Sequence, residues 1–347
     1  MARKKKETFL DLLDRMTPTV KAAFLQSVQE IKDAATIAAI VEAIKQGNAT
    51  AAVEAVGLTS AAFRPLSAAI ERAFETGGIF TADQIRRPVG KAVFRFDVRN
   101  SRAEAWLREF SSDLVTRINA EQLEQIRNVI EAGMRAGINP RSIALDIVGR
   151  IDPLTGKRTG GIIGLNGPQT KWLTNAREEL QNMHLGDPGN YFARELRDKR
   201  FDATVKKALD TGKPLTSDEV TKLTTQYENN LLRYRGETIA RDQTLTALNK
   251  SQDEAIKQIV DTGNYEERDI SRVWDSTGND GRTRETHLEM EGQTVAVNEP
   301  FVTPDGYRMM FPGDNSLGAP PAETINCRCV VKLKIDYIGA AKRKTGR

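Results

Sequence analysis

Histidine and arginine are the side chains that phosphoryl chemistry uses, and in this 347-residue chain Arg282, Arg284 and His287 crowd together just after Asp275 and Asp280. In a nuclease or phosphodiesterase built on them, His287 would be the general acid or base, the arginines an anion clamp and one aspartate a partner. The same region permits a second chemistry. Cys327 and Cys329, if on a strand, point to one face at period two. Together with His287 they offer zinc three ligands, with Asp275, Asp280 or Asp314 as a fourth. A third arrangement turns nothing over: Arg282 and Arg284 fork onto Asp275 or Asp314, in a structural polar network that also takes in Trp274, Asp280, His287 and Asn326. Cysteines one residue apart do not staple separate loops, so no structural disulfide is expected.

These residues need elements to hold them. From Asn264 onward the chain alternates short β-prone pieces, Arg272 to Trp274, Thr294 to Val297, Arg308 to Phe311 and Cys329 to Ile335, with turns such as Pro304-Asp305-Gly306 and Pro312-Gly313-Asp314. That pattern predicts a compact α+β module over 263–338 with too little apolar content for a large core. Everything upstream reads as helix. Residues 1–90 carry Val20, Phe24, Val28, Ile31 and Ala35 at spacings of three and four, interrupted at Gly47-Asn48, Gly57, Pro65 and Gly77-Gly78. Residues 91–262 carry a second stripe, Trp106, Phe110, Leu114, Ile118, Ile126 and Ile130, and then Asn139-Pro140 as an N-cap and first-turn proline. A capping box at Thr216 to Glu219 opens a further helix with a seam of Val220, Leu223, Tyr227, Leu231 and Tyr234, which Gly236 is expected to kink. Between these helices, the glycine-rich and basic stretch from Asp152 to Gly167 reads as a flexible loop. It lacks the Gly-Lys-Ser/Thr ending of a nucleotide loop. The fold class is therefore α+β and mostly α: extended helical N-terminal and middle regions, a small mixed C-terminal module and a basic tail at 339–347.

Trp274, Asp280, Arg282, Arg284, His287, Gly292, Phe301, the run Phe311-Pro312-Gly313-Asp314 and the ending Asn326-Cys327-Arg328-Cys329 occur in an order that resembles the C-terminal module of the phage Mu F-like head morphogenesis proteins. Phe96-Asp97-Val98-Arg99-Asn100 leading into Trp106, and Ile239-Ala240-Arg241-Asp242, resemble their helical part more loosely. The resemblance implies a minor head protein of a tailed bacteriophage, present in few copies inside the head. It implies binding to the portal protein at its vertex, with the major capsid or scaffolding protein as further partners. It also implies a role in procapsid assembly and in packaging, retention or ejection of double-stranded DNA, with no enzyme activity.

Composition narrows the classes. With 39% hydrophobic and 28% charged residues the chain is built to fold, and no window approaches the ~18 apolar residues of a membrane span. The N-terminus lacks a secretory apolar stretch, so synthesis in the host cytoplasm is expected. Net charge is only +4, but Arg3, Lys4, Lys5 and Lys6 cluster at one end and Lys342, Arg343 and Lys344 at the other. Such arms suit salt-sensitive contact with phosphate, the basis of an alternative function as a DNA-binding accessory of the virion.

Overall fold

The computed structural model describes residues 7–85, 94–277 and 281–345; Arg3, Lys4, Lys5, Lys6 and Asp280 lie outside them. In chain order the helices are α1 (Phe9–Ala34), α2 (Ile37–Lys45), α3 (Ala49–Glu54), α4 (Arg64–Gln84), α5 (Ser101–Arg135), α6 (Pro140–Val148), α7 (Gly167–Asn182), α8 (Asp202–Thr211), α9 (Ser217–Asp261), α10 (Glu285–Glu289), α11 (Pro321–Thr324) and α12 (Tyr337–Thr345). The strands are short: β1 (Arg150–Ile151), β2 (Arg158–Thr159), β3 (Ile270–Asp275), β4 (Thr294–Ala296), β5 (Phe301–Val302), β6 (Arg308–Met309) and β7 (Val330–Ile335). The protein is mostly α, with a small α+β region at its C-terminal end. Among the described residues no helix is long and apolar enough to cross a membrane.

The chain divides into two compact units that interleave in sequence. One comprises residues 1–22, 66–111 and 237–347; the other comprises 23–65 and 112–236. The whole of the expected module at 263–338 falls within the first.

In the second unit, the predicted stripe of Phe24, Val28, Ile31 and Ala35 is buried. Asn139 caps α6 by accepting the Arg141 N–H at 2.9 Å, and Thr216 and Glu219 exchange the reciprocal bonds of a capping box at the start of α9. Two expectations fail here. The helix α9 runs unbroken through Gly236, where a Cβ would meet Phe24 and Leu25 of α1 at 3.3 and 3.4 Å. The missing side chain lets two helices approach and does not bend one.

Nor is the glycine-rich stretch flexible throughout. Its first part forms the β1–β2 hairpin, and Gly160 to Leu165 are buried. The reason is electrostatic and specific. Lys32 Nζ donates to the Gly160 carbonyl at 2.6 Å, Glu228 accepts the Gly161 N–H at 2.8 Å, and Gln122 accepts the Gly164 N–H at 2.7 Å. Arg177 neutralises this corner, pairing with Asp146 at 2.5 Å and approaching Glu228 at 3.7 Å. Gly161 and Gly164 have φ of 78° and 93°, conformations costly for other residues, and a Cβ on Gly161 would strike the Ile147 carbonyl oxygen at 2.6 Å. Burial pushes the Glu228 carboxyl up to about 7 and pulls Lys32 down to about 8.

In the first unit, Phe74 of α4 stacks on Trp106 of α5 at 5.1 Å, and Trp106 stacks on Phe110 at 4.4 Å. Gly77 and Gly78 lie in the middle of α4 and do not break it. A Cβ on Gly77 would fall 2.3 Å from Ser251 Oγ and 2.8 Å from Leu248 on α9, so Gly77 marks a close helix crossing, while one on Gly78 would strike the Phe96 ring at 2.3 Å. The small sheet has the order β4-β3-β7, all antiparallel, with β5 and β6 as a separate hairpin.

Gly77→Ala is expected to cost about 1–3 kcal/mol through overpacking, read as a lowered melting temperature. A second test concerns Glu228. Its folded carboxyl holds a proton more tightly than the unfolded one, so it contributes less stability as pH rises from about 4.5 towards 7. Urea midpoints measured at pH 5 and pH 7 should show a smaller drop for Glu228→Gln than for the unaltered protein.

Candidate metal centre

The centre is built on the inward face of β3. Its residues alternate between buried and half-buried, which sends Ile270, Arg272 and Trp274 to one side. β3 pairs with β7 along its whole length and with β4 over Ser271 to Val273. Beyond β4 the ladder continues: Trp274 N–H donates to the Gln293 carbonyl and Gly292 N–H to the Trp274 carbonyl, both at 2.9 Å.

Arg272 is 2% exposed, and its charge is met by backbone. The guanidinium donates to the carbonyls of Ala296, Glu299 and Met310, and it lies 5.4 Å from the Phe301 ring centroid. Burial lowers its pKa, and Asp253, Asp314 and Glu299 oppose that shift. One side chain thereby ties the turn after β4 and the end of β6 to the central strand.

At the next inward position, Trp274 is fully buried and roofs a cluster of three potential ligands. Its ring meets His287 edge-on at 5.2 Å and Phe301 at 5.3 Å. His287, from α10, places Nδ1 3.6 Å from Cys327 Sγ and 3.5 Å from Cys329 Sγ. Its Nε2 lies 2.8 Å from Glu323 Oε2 on α11, and Thr286 Oγ1 donates to the same oxygen at 3.3 Å. His287 is 1% exposed and both cysteines are fully buried and free.

The Cys327 thiol is drawn well below the usual range by a hydrogen bond from Cys329 and by His287, while its hydrogen bond to Cys327 and burial push Cys329 up. The buried indole Nε1 of Trp274 finds no hydrogen-bond partner of ordinary geometry, and its N–H favours the anionic form of Cys329. Chemically this is a closed, soft donor set. It can hold a thiophilic cation or a hydrogen-bonded pair of thiols.

The other predicted residues lie around this centre in different partnerships from those expected. Asp275 pairs with Lys332 at 2.5 Å and accepts the Thr277 N–H at 3.0 Å. Asp314 accepts from the Met310 and Ser316 N–H groups at 2.8 and 2.9 Å, serving as a turn former. Arg284 donates to the Ile325 carbonyl, and Arg282 is exposed. The bonds around Asp275 and Asp314 thus run to lysine, to a serine hydroxyl and to backbone. Asn326 adopts φ of 57°, the left-handed conformation asparagine tolerates, and its N–H donates to Asp242 of α9 at 2.7 Å. Burial pushes the Asp242 carboxyl up to about 6. Of the basic tail, Arg343 is paired with Asp269 and Glu266, Lys344 donates to Asn264, and Lys342 also has a partner. All three belong to α12.

Sequence reading missed Arg272, Glu323 and Asp242. Arg272 was detectable: period two places it between Ile270 and Trp274 on one face of the strand. Nothing local marks Glu323, which reaches His287 only because α11 folds back over α10.

Residues 176–332 match the family described as Phage Mu protein F like protein. This region is Mu F-like. It begins within α7 and ends within β7, so it contains α9, Arg272, Trp274, His287, Glu323 and both cysteines. Among the curated proteins and the solved structures nothing matches the chain. The Mu F-like region covers just under half the sequence, and residues 1–175 lie outside the match.

Replacing Arg272 by leucine removes the guanidinium donor from the carbonyls of Ala296, Glu299 and Met310 and takes away the cation near Asp314. Breaking such a buried charged network costs ~3–5 kcal/mol, so Arg272→Leu should be markedly destabilised in chemical denaturation, and Arg272→Lys should recover only part of the loss.

Proposed function

We propose that this protein is a minor head component of a tailed bacteriophage. In this reading it sits in few copies at the portal vertex inside the head and assists procapsid assembly and DNA packaging, retention or ejection. The match of residues 176–332 to the Mu F-like family carries the reading. The chemistry of the buried centre agrees with it, since His287, Glu323 and the two cysteines bond to one another and hold α10, α11 and the start of β7 together. The partners are the portal protein, the major capsid or scaffolding protein and the packaged double-stranded DNA.

Two other readings have less support. A nuclease using His287 with Arg282 and Arg284 needs an imidazole that reaches substrate, yet His287 is enclosed under Trp274 with both ring nitrogens engaged. A DNA-binding accessory role would draw on Lys342, Arg343 and Lys344, and Arg343 is already committed to Asp269 and Glu266.

Quantitative mass spectrometry of gradient-purified proheads and virions from the encoding phage tests the proposal. The protein should be present at far fewer copies than the major capsid protein, and it should remain with the portal through a high-salt wash. Its absence from purified heads would sink the reading.

A further inference from the structure

The structure points to a zinc site, and we propose that His287 Nδ1, Cys327 Sγ and Cys329 Sγ bind one Zn²⁺ as a structural clamp. Three observations carry it, none of which depends on the proposed place in the virion.

The first is dimension. Zinc holds sulfur at about 2.3 Å and imidazole nitrogen at about 2.1 Å, and a tetrahedral angle between them sets an N···S edge of about 3.6 Å. The two N···S separations here are 3.6 and 3.5 Å, and all three donor atoms lie within 4.8 Å of one another. Both N···S edges already have the length of a coordination tetrahedron's.

The second is orientation. A carboxylate only accepts, so the imidazole nitrogen facing Glu323 at 2.8 Å carries the ring proton, which leaves the Nδ1 lone pair directed at the sulfurs. Ligating histidines are oriented in this way by a carboxylate on the far nitrogen, and Glu323 is itself fixed by Thr286.

The third is charge and burial. Two thiolates and Zn²⁺ sum to zero, a neutral assembly suited to a site where both cysteines are fully buried. Among the described residues the set contains no fourth protein ligand. On binding, the cation displaces the two thiol protons to solvent and links α10 to the residues leading into β7. A module whose sheets have only two or three strands gains most from such a link.

The test uses untagged full-length protein purified in zinc-supplemented buffer. Elemental analysis should find about one zinc per chain, and Co²⁺ added to the metal-stripped protein should give thiolate-to-cobalt charge-transfer absorption. The double variant Cys327→Ser/Cys329→Ser should hold none. Glu323→Gln, which keeps all three ligands, should still bind zinc but lose it to a competing chelator with roughly 10- to 100-fold weaker affinity. Absence of both zinc and the cobalt-thiolate absorption in the unaltered protein overturns the proposal. So does zinc retained by the double variant. Should the double variant not fold, the cobalt spectrum and the Glu323→Gln competition decide.

Discussion

A guanidinium withdrawn from water must be given acceptors, and in this protein that requirement organises the C-terminal region. Arg272 projects inward from the middle of β3, where burial would be prohibitive without compensation. Three backbone carbonyls and the Phe301 face supply it, and the residues that carry them, Ala296, Glu299 and Met310, are therefore held at fixed positions over the sheet. The adjacent inward position belongs to Trp274. Its environment, with Phe301 on one side and His287 on another, follows from loops that Arg272 has already placed. A buried cation of this kind is worth little as net stabilisation, but it penalises every alternative loop arrangement that leaves it unsolvated.

The same logic appears in the other unit. Gly160 to Leu165 are irregular backbone inside the protein, and irregular backbone is admitted to an interior only when its polar groups are met. Lys32, Glu228 and Gln122 meet them directly, and Asp146 and Arg177 keep the charge near balance. Glycine is required at Gly161 and Gly164 by positive φ and by the closeness of neighbouring atoms. In both units, polar side chains from distant parts of the chain hold irregular segments that no regular ladder could hold.

The centre around His287 differs from these in being soft. Its sulfur and imidazole donors converge behind the tryptophan, with a carboxylate at the far side of the ring, so the group is spaced for a cation as well as for mutual hydrogen bonding. His287 is enclosed there, with Trp274 against its ring and both ring nitrogens engaged.

What could be read from the sequence alone was whatever depends on local spacing. The apolar stripes of α1, α5 and α9, the caps at Asn139 and Thr216 and the short strands after Asn264 follow from periods of 3.6 and 2 and from turn chemistry, and the structure has them. The convergence of His287 with Cys327 and Cys329 was proposed from residue type and is found. The tertiary structure decided the rest. Gly77 and Gly236 look like helix breakers in one dimension and are contact points in three, because their meaning depends on which helix approaches. Whether Asp275 meets an arginine or Lys332, and whether Glu323 reaches His287, depends on register across a sheet and on the return of a short helix. Those distances separate residues tens of positions apart, and no local pattern encodes them.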